Sequence, residues 1–105
     1  MLRIFTGQIG EYKLEDGIDI SFRTQTIFSP TKELELKIKN NKEEYISRYY
    51  ELMRNSYINN KKYWDEILNM EHITLLCYCR EDSFCHRYLI KDILIKLGAK
   101  YYGEI

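Results

Sequence analysis

One proline, one tryptophan, five glycines and no net charge are what this 105-residue sequence has little of. Lys and Arg are matched in number by Asp and Glu, so no global field draws the chain to nucleic acid, and no nucleic-acid partner is expected. No apolar run approaches membrane-spanning length, so no membrane partner is expected either. Arg3 and Thr6 interrupt the only apolar start, so no signal peptide is read. Cysteine is scarce and odd in number, at three. Without a secretion signal, that points to a reducing cytosol. There is no internal repeat, linker or low-complexity segment.

What is present is a globular composition, 45 % apolar and 30 % charged, at a length that fits one α/β domain over residues 1–105 with a small core. Ten tyrosines look like a binding surface. The joint excess of Ile, Lys, Asn, Tyr and Phe is better explained by codon drift in an AT-rich genome.

Leu2-Arg3-Ile4-Phe5 reads as a strand, followed by Thr6-Gly7 at a turn where backbone can approach a ligand. Residues 17–22 alternate and read as a second strand. Ser29-Pro30 is a helix start, with Ser29 as cap and Pro30 at the first helical position. Leu34, Leu36 and Ile38 alternate like a strand, but their Lys, Glu and Leu neighbours favour a short helix. Asn41 caps a second helix, with Glu44 reaching back and Tyr45, Ile46, Tyr49, Tyr50, Leu52, Met53 and Tyr57 on one broad face. Asn59-Asn60 breaks it, and Tyr63, Trp64, Ile67 and Leu68 mark a third helix.

Residues 73–79 form the best strand, and Arg87 to Leu97 an amphipathic helix capped by Asp82 or Ser83 and ended by Gly98. Its stripe is Leu89, Ile90, Ile93, Leu94 and Leu97. A last strand covers residues 99–102. The order β-β-α-α-α-β-α-β implies a small Rossmann-like sheet of about four mainly parallel strands with helices on both faces.

All three cysteines and one of the two histidines fall between Cys77 and His86. This strand-loop-helix admits three readings. It can be an anion pocket, with N–H groups at Ser83–His86 and the guanidiniums of Arg80 and Arg87 facing a phosphate. It can be a metal site of Cys77, Cys79, Cys85 and His86, but the spacing C-x-C-x₅-C-H is poor and adjacent helical residues point about 100° apart. No metal and no cofactor are therefore expected. It can also be core packing, since thiols fill apolar space well. The loop has no glycine and is no P-loop, and no arginine lies six positions after Cys77 or Cys79, so it is no phosphatase loop. Within the pocket reading, Cys85 beside His86 at a helix start is a candidate nucleophile. His72 lies outside the cluster and reads as a solvated loop residue.

Thr6-Gly7, the Asp19 strand, Phe28 to Thr31, Tyr45 to Met53, Trp64, and Leu75 to Cys79 with Phe84-Cys85-His86-Arg87 together resemble a known family. The chain is similar to short, phage-type members of domain-of-unknown-function family 488. The resemblance covers most of the chain, and Cys-His-Arg is its most specific part. It implies a Rossmann-like domain of no settled activity. The resemblance implies that Cys85, His86 and Arg87 line the pocket, with Cys77 and Cys79 on the strand, and that Asp19 and Arg23 lie near the ligand. The turn and loop readings add Thr6, Gly7, Arg80 and Phe84 to the ligand site, and Cys85 and Asp19 are the catalytic candidates.

Small phage proteins of this size often act on host defence, and several unrelated ones sequester nucleotide immune signals. By that analogy the expectation is a non-catalytic, cytosolic binder of a phosphorylated nucleotide-derived molecule, acting as a homodimer or larger homo-oligomer. Tyr12, Tyr78, Tyr88 or Trp64 would stack on its base. An enzyme acting on a nucleotide or nucleoside, and a protein-binding inhibitor without small ligand, are the alternatives.

Overall fold

The computed structural model describes residues 1–8, 17–21, 24, 26–38, 40–77 and 85–105. Four strands, β1 (Arg3–Gln8), β2 (Gly17–Asp19), β3 (His72–Cys77) and β4 (Lys100–Glu104), form one sheet in the order β2-β3-β1-β4. Every pairing is parallel. β3 is interior and buried at every position after His72, with Ile73, Leu75 and Cys77 in the core and Thr74 a buried polar residue between them. The α/β class and the element order agree with the sequence pattern.

The helices are α1 (Lys42–Asn59), α2 (Lys61–Leu68) and α3 (His86–Lys96), preceded by a π-helical turn at Leu34–Ile38. From β2 to β3 and from β3 to β4 the chain steps the same way across the sheet. Right-handed crossovers that travel in one direction place their helices on one face. Accordingly α1, α2 and α3 share a single core with Ile4, Ile73, Leu75 and Cys77. Among the described residues the helices thus draw on one face of the sheet rather than both. The opposite face carries Phe5, edge-on to Tyr102, and Gly7, where a Cβ would lie 3.0 Å from Ile105.

Asn41 caps α1 as expected, accepting from the Glu44 N–H. The Glu44 carboxylate instead meets Arg48 one turn on. Ser29 is not the cap of the first helical segment. Thr31 Oγ1 takes that role, accepting from the Leu34 N–H. Pro30 accordingly precedes the helix. Ser29 Oγ donates to the Ser21 carbonyl and accepts from the Thr26 N–H, so it ties the segment after β2 together. Of the broad aromatic face of α1, only Tyr45, Tyr49 and Met53 are fully buried. In α3 the buried side chains are His86, Arg87, Ile90 and Leu94, whereas Leu97 is exposed. The stripe is rotated toward the helix start because two polar residues there are buried. Trp64 packs against Phe28 and Tyr57 and donates to Ser56. At 1 % exposure it is a core residue and no stacking platform.

Candidate functional site

Parallel strands deliver their C-terminal ends to one edge, and the start of α3 meets them there. In open α/β sheets this edge is where ligands bind. Two polar clusters lie at it, side by side.

The first cluster is Cys77, Cys85 and His86, whose ligand-type atoms all lie within 4.8 Å of one another. All three side chains are buried, and neither described cysteine is in a disulfide. Cys77 ends β3. Cys85 is the N-cap of α3, with extended backbone (φ −146°, ψ 142°). His86 is the first helical residue. Because Cys85 is not yet helical, the 100° rotation expected between adjacent helical residues does not apply, and the two side chains converge. Cys85 Sγ is 3.8 Å from His86 Nδ1, and His86 Nε2 bonds the Ile20 carbonyl. A carbonyl only accepts, so Nε2 carries the proton and Nδ1 presents its lone pair toward sulfur. Tyr49 packs against the imidazole and donates its hydroxyl to the Phe28 carbonyl. Burial first, then nearby Cys85 and Cys77, raises the Tyr49 pKa well above the ordinary tyrosine value.

Asp19 stands behind this cluster. Its Oδ1 accepts from the Ser21 N–H, and Thr24 donates to its carbonyl. This turn aims the Ile20 carbonyl at His86. Asp19 is therefore placed to position the imidazole through the backbone. Ser21 Oγ is buried and makes no hydrogen bond among the described residues.

The second cluster is built on Arg87, whose side chain is 0 % exposed. Its Nη2 donates to Glu104 Oε2 and to the Tyr88 hydroxyl, and Tyr88 donates to the same Glu104 oxygen, all at 2.9 Å. The guanidinium also lies over the Tyr88 ring. Burial opposes the charge on Arg87, but Glu104 first and then Cys85 outweigh it and leave its pKa raised. Burial likewise opposes the Glu104 charge, and hydrogen bonds from Arg87, Thr6 and Tyr88 hold the carboxyl below the ordinary glutamate range. Burial first, then the bond to Glu104, pushes Tyr88 up to about 12. Thr6 shares a 2.6 Å hydrogen bond with Tyr101.

The residues singled out from sequence thus divide. Cys85, His86, Arg87 and Thr6 come together at one edge, with Asp19 beside them. Gly7 lies on the opposite face, beneath Ile105 and Leu76. Arg23, Cys79, Arg80 and Phe84 lie outside the described residues, as do Tyr12, Tyr78, Asp82 and Ser83. Glu104 was not anticipated, nor was the tie of Tyr101 to Thr6.

The chain belongs to domain-of-unknown-function family 488, matching the family described as the Active DUF488-N3 subclade over residues 16–98. That span holds Cys77, Cys85, His86, Arg87 and Asp19, and leaves Thr6 and Glu104 outside. No curated protein and no solved structure matches the chain.

Proposed function

We propose that this DUF488 member binds a phosphorylated, nucleotide-derived small molecule at the C-terminal edge of its sheet and sequesters it, as a phage-encoded protein would a host immune signal in the cytosol. The observation that carries this reading is Arg87. Its guanidinium, held in one orientation by Glu104 and Tyr88 beside the start of α3, has the planar donor fork that suits a phosphate, and an incoming anion would exchange for the Glu104 carboxylate. The buried Ser21 hydroxyl adds a hydrogen-bonding group that a ligand would satisfy. A second subunit would supply the further wall that so small a chain needs, so the proposal includes a homodimer or larger assembly.

A second reading is an enzyme acting on a nucleotide or nucleoside. The Cys85–His86 pair favours it, since Nδ1 faces the sulfur as a general base would. The description of the subclade as active agrees with it.

Native mass spectrometry of protein purified from cells that make nucleotide signals tests both. A nucleotide released intact on denaturation supports the binder, and a converted one supports the enzyme. Recovery of apo monomer from every such source would remove the first reading. In calorimetry with the recovered nucleotide, Arg87→Lys keeps the charge but loses the planar donor fork. It should bind about tenfold to a hundredfold more weakly, the worth of one charged hydrogen bond.

A further inference from the structure

We propose that Cys77, Cys85 and His86 hold a single zinc ion. The case rests on geometry. Tetrahedral zinc takes sulfur at about 2.3 Å and imidazole nitrogen at about 2.0 Å, which sets neighbouring ligand atoms roughly 3.6–3.8 Å apart. Cys85 Sγ and His86 Nδ1 are already 3.8 Å apart, and the whole triad lies within 4.8 Å. A rotamer-scale contraction of Cys77 closes the triangle.

The objection from sequence spacing assumed that residues 85 and 86 are both helical. The extended N-cap backbone of Cys85 removes it. The imidazole is also held as metal-bound imidazoles are. Its outer nitrogen donates to a backbone carbonyl, which fixes the tautomer and leaves the inner nitrogen facing the metal position. The Asp19 turn that aims Ile20 belongs to this outer support.

Charge favours the same ion. Two thiols and a neutral imidazole take up one divalent cation and release two protons to solvent. The product is neutral, which suits a buried position. Two thiolates with one nitrogen select zinc over magnesium or calcium, which prefer oxygen. Three protein ligands leave the fourth position for water or a ligand atom. A zinc ion here also makes Cys85 a ligand rather than a nucleophile, so this inference competes with the enzyme reading and is independent of nucleotide binding.

The test uses the full chain with cobalt(II) as a spectroscopic stand-in and zinc for stoichiometry. Reduced apo-protein titrated with cobalt(II) should develop intense visible bands and a sulfur-to-cobalt charge-transfer band, saturating at one ion per chain. Zinc should bleach them in equal stoichiometry and raise the melting temperature. Cys85→Ser and Cys77→Ser, each removing a thiolate ligand, should lower zinc affinity and weaken the sulfur-to-cobalt band, while His72→Ala, an exposed position, should leave both unchanged. Should the cysteine variants fail to fold, the wild-type cobalt spectrum still decides. Absence of the charge-transfer band in protein with titratable thiols would overturn the proposal, as would a Cys77–Cys85 disulfide in protein isolated from a reducing cytosol.

Discussion

Arg87 brings a charge to a place that water does not reach, and its stability depends on Glu104. A buried ion pair adds little over an apolar pair, but removing one partner strands the other. Glu104→Gln should therefore cost about 3–5 kcal/mol at neutral pH, measured by urea unfolding. The pH dependence follows from the lowered Glu104 pKa. The unfolded chain takes up its proton near the ordinary glutamate value, about 4.3, and the folded chain only below that. The contribution is thus complete above that value and is lost as pH falls through it toward the lower folded value. The wild-type advantage over Glu104→Gln should shrink across that acid window, and a constant difference there would refute the assignment. Asp19 is a second residue-scale case. Asp19→Asn keeps an oxygen for the Ser21 N–H and should leave folding stability within about 0.5 kcal/mol, whereas a catalytic carboxylate would lose its activity. Arg87 was placed at a helix start because the polar loop before an amphipathic run announces itself locally, whereas Thr6 was read as a turn and lies inside β1. Glu104 was not, because nothing local says that residue 104 returns beside residues 6 and 87.

At the scale of elements the hidden device is in β4. Tyr101 and Glu104 are three apart, so a regular strand would point them to opposite faces. The pairing with β1 shifts register after Ile4↔Tyr101 and resumes at Phe5↔Gly103, leaving Tyr102 as an extra residue. Gly103, at φ +125°, permits that shift. Tyr101 and Glu104 thereby face the same polar cluster. Gly103→Ala should cost about 1–2 kcal/mol from backbone strain alone, since space for the Cβ is open. It should also turn Glu104 away from Arg87. A double-mutant cycle checks this, because the costs of Gly103→Ala and Glu104→Gln should overlap rather than add. Full additivity would mean that the glycine does not aim the glutamate. All eight elements were legible in order, since the period-2 and period-3.6 patterns are strong in β3, α1 and α3. Boundaries were less so. β1 extends through Thr6, Gly7 and Gln8, which look like a turn until β3 pairs with them. The Ser29 cap was misplaced because a hydroxyl before proline serves equally well to bind the Ser21 carbonyl.

For the whole molecule, the span matched to the family and the span needed to fold are different lengths of chain. Residues 16–98 carry β2, β3, all the described helices and the Cys-His-Arg step. They omit β1, which is central, and β4, which among the described strands pairs with it alone. Without β1, β3 loses a six-position register from Arg3↔His72 to Gln8↔Cys77. Leu2, Ile4 and Ala99 leave the core and expose the faces of Ile73, Leu75 and Leu94 that they cover. Each large apolar side chain so affected is worth about 1.5–3 kcal/mol, and Arg87 is stranded without Glu104 at a further 3–5 kcal/mol or so. A domain of this size has about 5–15 kcal/mol in total. A chain limited to residues 16–98 should therefore show no cooperative thermal transition by circular dichroism, while residues 1–105 melt in one step. Neither loss alone exhausts the total, so β4 and β1 can be separated. A chain ending at Gly98 keeps β1 and its pairing with β3, and should retain a weakened cooperative transition. Cooperative melting of the 16–98 chain at a midpoint near that of the full chain would mean that β1 is an accessory to the sheet rather than its centre.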